Sequence, residues 1–381
     1  MSIPTQKAVM YGAGNIGRGF LGQIFSNSGY EVVFIDVDLD LVNALNKSNS
    51  YTQVTVDGDV SQSREITRVR AIDGNDNVQV AHEISCCCIM AVSVGSAVLP
   101  IIAPLIAKGI SLRTKPLNIL VCENLVNAPN KLRNLVSEYM TDKSLLALTG
   151  FAGTTIGRMV PAISPQERAA NPALIKVEPF CTLPVDKDAV VRPFPALKHT
   201  ILYSPFAFEE GKKLYIHNMG HSLAAYLGAR KKYNYIWQAI EDDYIYSQVE
   251  NAMIASAEAL SKKFDENITD LEDYIRDLLK RFGNKGLGDT VSRVGGDPLR
   301  KLTAGDRLIG TVNLCKEQNV DYKPVLIGIA AALMFDFPDD PSSSLLKKQL
   351  DDPGIMSFLQ SYCKLSETDS AFIAELHENR I

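Results

Sequence analysis

The chain has 381 residues, 46% hydrophobic and 22% charged, a balance that fits a soluble globular protein built from two domains. A net charge of −5 argues against nucleic acid or an anionic membrane as the main partner, so an anionic substrate needs a local basic pocket. The seven cysteines include the consecutive Cys86, Cys87 and Cys88 and no C-x-x-C pair, which argues against a disulfide framework and for a reducing, cytoplasmic setting. MSIPTQKAVMYGAG has no apolar run of the kind a signal peptide needs.

The first third alternates strands and helices. KAVMYGA reads as a strand, NIGRGFLGQIFSNSG as a helix, EVVFIDVD as a second strand and LDLVNALNKS as a second helix. Residues 86–110 lack charge until Lys108, but Ser93, Gly95, Ser96, Pro100 and Pro104 interrupt them. They read as a strand over 86–94 and a buried helix through Ile110, not a membrane span. A further strand, LNILVCEN, follows at 117–124. This order predicts a doubly wound parallel sheet of the Rossmann type.

From about residue 185 the texture changes. VDKDAVVRPFPALKHTILYSPFAF carries three prolines and no clear helix, and reads as a connector. Helical patterns then cover 222–231, 237–264, 270–282, 298–317, 323–335 and a C-terminal run. The expected organisation is an α/β dinucleotide-binding domain over 1–195 and an all-α substrate and catalytic domain over 196–381.

The first strand runs into Gly12-Ala13-Gly14-Asn15-Ile16-Gly17. In such a G-x-G-x-x-G turn the first glycine permits the tight bend, the second admits a pyrophosphate to the backbone, and the third lets helix and strand pack. N–H groups at the following helix start face the phosphates. Asp36 ends the next strand 24 residues past Gly12, placed to accept from a ribose diol. Val37 and Asp38 follow it, with no Arg or Lys to hold a 2′-phosphate, so NAD is expected over NADP. The expected cofactor contacts are Gly12, Ala13, Gly14, Asn15, Ile16, Gly17, Arg18, Asp36 and Val94.

GKKLYIHNMGHSLAAYLG, at 211–228, holds His217 and His221 in an H-x-x-x-H pattern. A zinc peptidase needs a glutamate after the first histidine, and here that residue is Asn218; no metal is expected. Lys213, Asn218 and His221 fit another chemistry. On an α-helix Asn218 falls about 140° from Lys213, with His221 between them. A partly buried lysine can exchange a proton with a hydroxyl, an asparagine amide can donate to a forming alkoxide, and a histidine can orient the substrate. His217 reads as a bystander. Arg293, Arg300, Lys301 and Arg307 concentrate positive charge within fifteen residues and suit a phosphate, though Asp297 and Asp306 stand ready as structural partners.

GAGNIGRGF at 12–20, VCENLV at 121–126, KLYIHNMGHSLAAYLG at 213–228 and RVGGDPLRKLTAGDRL at 293–308 together resemble the polyol-specific long-chain dehydrogenases. The resemblance implies a reversible, metal-independent oxidation of D-mannitol 1-phosphate to D-fructose 6-phosphate with NAD. It makes Lys213 the general acid/base, Asn124 and Asn218 the alkoxide donors, His221 the orienting residue, and Arg293 and Lys301 contacts to the polyol chain. The small polyol or sugar phosphate is the expected partner, with no nucleic acid and no membrane, and the enzyme works as a monomer or homodimer. A dehydrogenase for a non-phosphorylated polyol or a hexuronate is the alternative. Two stretches depart from the family pattern: Gly157 stands where an aspartate precedes the arginine of D-R-I-V-P, and Thr182 and Leu183 replace an acidic residue and a tryptophan.

Overall fold

A computed structural model describes residues 6–125 and 127–379. Val126, the last residue of VCENLV, lies outside them. The chain divides into two compact units, Met1–Glu209 and Glu210–Ile381.

The described residues of the first unit form eleven strands: β1 Lys7–Tyr11, β2 Glu31–Asp36, β3 Ser50–Asp57, β4 Val60–Thr67, β5 Val69–Asp73, β6 Ile89–Val92, β7 Leu117–Val121, β8 Thr149–Gly153, β9 Ile175–Val177, β10 Leu183–Asp186 and β11 Thr200–Tyr203. Six form one parallel sheet in the order β5-β2-β1-β6-β7-β8. The order reverses between β1 and β6, and that switch point is where such sheets open a crevice beyond their strand ends. Both faces are covered, so the central strands read as nearly continuous apolar runs. Ala8, Met10, Val32 and Phe34 join one core, while Val9, Tyr11, Val33 and Ile35 join the core on the other face.

The uncharged stretch 86–110 is β6 and a helix over Leu99–Ser111, and no helix among the described residues is long and apolar enough to cross a membrane. All seven cysteines are free thiols.

Two features differ from the sequence reading. A second sheet, β4-β3-β9, is built on an antiparallel hairpin turning at Gly58, whose φ of +60° suits glycine. Its outer strand is polar along most of its length, with Ser61, Gln62, Ser63 and Arg64, so it sends little apolar signal. The connector also contains β10 and β11, which pair in parallel from Leu183↔Thr200 to Asp186↔Tyr203. That pairing holds residues beyond 195 in the first unit, and the division falls at 209/210.

Arg158 organises the lower part of this unit. It is 4% exposed and donates to Glu178 O at 2.7 Å, Gly19 O at 2.8 Å and Gln23 Oε1 at 2.5 Å. Burial pushes its guanidinium down to about 10. Gly157 beside it has a physical reason: a Cβ there would come within 3.0 Å of the Phe180 ring.

The second unit is helical. Helices over Met219–Arg230, Ile268–Phe282 and Lys323–Leu333 fall where periodicity places them. Two long patterns are broken. The run 237–264 splits into Ile236–Ile240 and Asp243–Phe264, because the Asp242 carboxylate caps the second helix by accepting from Ile245 N at 3.1 Å. The run 298–317 splits into Pro298–Lys301 and Ile309–Glu317 around Asp306, which Arg300 and Arg307 hold.

Arg158→Ala leaves two buried carbonyls and Gln23 without their donor. Its unfolding free energy is expected to fall by about 3 kcal/mol in urea titration, while an exposed control such as Arg168→Ala stays within about 0.5 kcal/mol.

Candidate active site

In the first unit the glycine turn sits at the switch point. Gly12 has φ +96°, and a Cβ there would strike Ser93 O, just beyond β6. Val94 Cγ1 lies 3.2 Å from the same position, so Val94 lines the turn. A Cβ on Gly17 would strike Gly12 O, whereas one on Gly14 meets nothing within 4 Å. Gly12 and Gly17 are thus packing constraints, and Gly14 faces open space. Gly14 and Asn15 are exposed and Ile16 half-buried, at the start of the helix that follows.

Asp36 closes the crevice from β2. Its Oδ2 accepts from Ala13 N at 2.6 Å and its Oδ1 from Asp38 N at 3.1 Å. Each oxygen keeps a second lone pair, which is what a vicinal diol needs. This combination of open glycine backbone, helix start and half-buried carboxylate fits an adenine dinucleotide.

Arg18 is turned away from that space. Nε donates to Ala13 O at 2.6 Å, and Nη1 to Pro172 O at 3.2 Å and Leu174 O at 3.1 Å, with 4% of the residue exposed. It fastens the turn from below. Glu123, at the end of the β7 segment, accepts from Val94 N at 2.8 Å and Gly95 N at 3.1 Å, and burial holds its carboxyl above the usual range. Asn124 beside it is exposed.

In the second unit, residues Lys212–Asn218 form a π-helical turn and Met219–Arg230 continue as an α-helix. Met219 N bonds to Leu214 O, five residues back. The wider turn corrects the α-helical arc drawn from sequence: Lys213 and Asn218, five apart, come closer in azimuth than 100° per residue allows. Lys213 and Asn218 are both half-buried. The skipped carbonyl, Tyr215 O, lies 3.5 Å from the Thr311 hydroxyl, which donates mainly to Arg307 O at 2.6 Å.

The two histidines face each other at 6.3 Å between ring centroids. His217 is 2% exposed and packs edge-on against Phe282. His221 stacks flat on the same ring, 4.6 Å away at 7°. Burial holds both imidazoles well below their usual range; Lys213 and Arg281 add to this at His217, Arg293 and Lys213 at His221. Among the described residues no three His, Cys, Asp or Glu side chains converge as a metal would require.

The basic segment is more self-paired than its composition suggests. Arg300 bonds to Asp297 at 2.7 Å and Asp306 at 2.9 Å, and Arg307 to Asp306 at 2.9 Å. Lys301, 3% exposed, donates to Val294 O at 2.6 Å and to Gly296 O. Burial, with Arg307 and Arg300 nearby, pushes its ammonium down to about 7. Arg293 pairs with Asp289, and 57% of its side chain stays exposed. Asp289 is the site residue the sequence reading passed over. Its signal was present: an acid four residues before Arg293 in GDTVSR.

With this geometry in hand, comparison with known proteins decides the family. The chain matches the mannitol dehydrogenase Rossmann domain over residues 6–199 and the mannitol dehydrogenase C-terminal domain over 206–377. It belongs to the mannitol dehydrogenase family. Relatives named mannitol-1-phosphate 5-dehydrogenase include that of Shouchella clausii, 35% identical over 95% of this chain and 96% of the relative. That of Bacillus subtilis is 33% identical over 93% and 95%. A solved Pseudomonas fluorescens mannitol 2-dehydrogenase, described as a ternary complex with NAD and D-mannitol, shares the fold at TM-score 0.76 and 16% identity over 99% of this chain and 91% of its own. A D-sorbitol dehydrogenase in substrate-free form superposes at TM-score 0.79 with 16% identity, over 98% of this chain and 93% of its own.

The contrast between glycines is testable. Gly14→Ala is expected to keep the wild-type melting temperature and weaken NADH binding at least about tenfold in fluorescence titration. Gly17→Ala is expected to lose about 2 kcal/mol of stability or more through overpacking.

Proposed function

We propose that this chain oxidises D-mannitol 1-phosphate reversibly to D-fructose 6-phosphate, with NAD as acceptor and no metal. The observation that carries this reading is one helical segment bearing Lys213, Asn218 and His221, with Asp289 linking His221 to the largely exposed Arg293, in an otherwise acidic chain. The name shared by the curated relatives supports the same substrate.

NAD, when bound, supplies the hydride acceptor. Every other task falls to side chains. Lys213, as the free amine, takes the proton from the reacting hydroxyl and returns it in the reverse direction. Asn218 donates an amide N–H to that oxygen as it gains alkoxide character, and Asn124 is given the same role. His221 orients a neighbouring hydroxyl. Arg293 has the exposed surface to meet the phosphorylated polyol; Arg300 retains Nη2 for it, and Lys301 holds the Val294–Gly296 backbone where the chain of hydroxyls passes. Gly12, Ala13, Gly14, Asn15, Ile16 and Gly17 form the pyrophosphate cradle, Val94 walls it, Arg18 braces it and Asp36 accepts from the adenosine ribose. Seven free thiols suit a cytoplasmic enzyme, acting as a monomer or homodimer.

In an NADH assay, mannitol 1-phosphate is expected to exceed free mannitol in kcat/KM by about a hundredfold or more, the discrimination of roughly 3 kcal/mol that charge-assisted phosphate contacts provide. Activity should survive EDTA. Strong turnover of the unphosphorylated polyol or a hexuronate, with none of the phosphate, overturns the assignment. Lys213→Ala is expected to lower kcat by about 10² or more, and wild-type oxidation to rise with pH because the base must be unprotonated.

The cofactor choice has its own test. Asp36→Ser with Val37→Arg, at a position 66% exposed, is expected to weaken NAD and admit NADP. Unchanged Kd values for both nucleotides contradict the ribose role of Asp36.

A further inference from the structure

Asp289 touches two residues of the proposed substrate site, one with each carboxylate oxygen. Oδ1 pairs with Arg293, and Oδ2 lies 3.4 Å from His221 Nε2. The carboxylate is 8% exposed, and its backbone is fixed on both sides. Ile236 N donates to Asp289 O at 2.9 Å, and Val291 N donates to Asn234 O at 2.9 Å, across a bridge between Tyr235 and Thr290. Thr290 then caps the short helix carrying Arg293.

His221 Nε2 and Asp289 Oδ2 are both buried, and neither has a hydrogen-bond partner. A buried donor or acceptor left unpaired is costly, so two such atoms facing each other imply a proton between them. The remaining separation is the kind that tightens when substrate fills a site. The ring cannot turn away freely, because it lies flat on Phe282. Burial above all, and then the cations Arg293, Lys213, Arg307 and Lys301, disfavour an imidazolium, against the Asp289 carboxylate on its Nε2 side. The imidazole is therefore neutral and carries one proton.

We infer that Asp289 is a positioning residue: it holds His221 in the Nε2–H tautomer and Arg293 on the same carboxylate, leaving His221 Nδ1 to accept a hydrogen bond from a substrate hydroxyl. This deepens the proposed oxidation and rests on it for the identity of the substrate. An accepting Nδ1 selects an alcohol, which can donate, over a carbonyl, which cannot. The hydroxyl it reads is one retained in both polyol and ketose, next to the reacting carbon.

Nitrogen-15 NMR of histidine-labelled protein, with His221 assigned by loss of its signals in His221→Gln, tests the tautomer directly. Wild type at pH 7 is expected to show a protonated Nε2 and an unprotonated Nδ1. Asp289→Asn keeps the shape, and Arg293, which only donates, draws the amide oxygen to itself. The amide N–H₂ then faces Nε2 and is expected to move the proton to Nδ1. In the same variant KM for mannitol 1-phosphate is expected to rise at least tenfold, kcat to change less, and the Kd for NADH to stay the same. In a His221→Gln background the further effect of Asp289→Asn on KM should shrink below threefold. An Nδ1–H tautomer in the wild type overturns the inference, even if the variant does not fold. So does an unchanged tautomer in Asp289→Asn. Should the wild type fail to turn over mannitol 1-phosphate, the function proposed above falls, while the tautomer measurement still decides the role of Asp289.

Discussion

A helix that widens into a π turn skips one carbonyl of its i−4 ladder, and that carbonyl must find another donor. Both segments to which the proposed mechanism assigns a role contain such a turn. After the glycine turn, Gly22 N bonds to Gly17 O, five residues back, and the skipped Arg18 O accepts from the Tyr51 hydroxyl at 2.6 Å. The next carbonyl, Gly19 O, takes Arg158. At the lysine segment, Met219 N bonds to Leu214 O and the Thr311 hydroxyl stands by Tyr215 O. The two turns differ in strength, because Tyr51 is fully committed while Thr311 also serves Arg307 O. Tertiary partners thus maintain a local geometry that propensity alone would straighten into α-helix.

This dependence explains what the sequence could and could not reveal. The parallel sheet was legible because its strands are buried on both faces and read as continuous apolar runs; β1 and β2 are the clearest. The glycine turn was legible because its spacing stands between two clear apolar patterns, a strand before and a helix after. The hairpin of β3 and β4 was not, because its outer strand is solvated, yet it supplies Tyr51 to the very helix that follows the turn. The second-unit helices were legible as elements, while their breaks were not: Asp242 and Asp306 stop helices through hydrogen bonds whose partners lie in the residues just beyond.

Side-chain roles divided along the same line. A charge in a sequence announces its sign but not its partner. Arg18 and Arg300 sit in the right motifs, yet Arg18 is turned onto three backbone carbonyls and Arg300 commits Nε and Nη1 to two carboxylates. Lys301 is inward-facing, with burial lowering its ammonium to about 7. The histidines are the reverse case. Their spacing suggests a metal, but each ring packs against Phe282, a residue more than sixty positions away that no local pattern couples to them.

The electrostatics of the second unit then follow from burial. Lys213, Arg281, Arg293, Lys301 and Arg307 each act on one or both of the two buried imidazoles, and like charges so placed repel one another. The structure limits this in two ways. The histidines stay neutral, adding no charge, and Asp289, Asp297 and Asp306 are threaded among the arginines. On the proposed reading, the positive charge that remains favours an anionic substrate. In the proposed mechanism these carboxylates also serve recognition. They hold the arginines in fixed orientations, so that less side-chain entropy is lost when the substrate arrives.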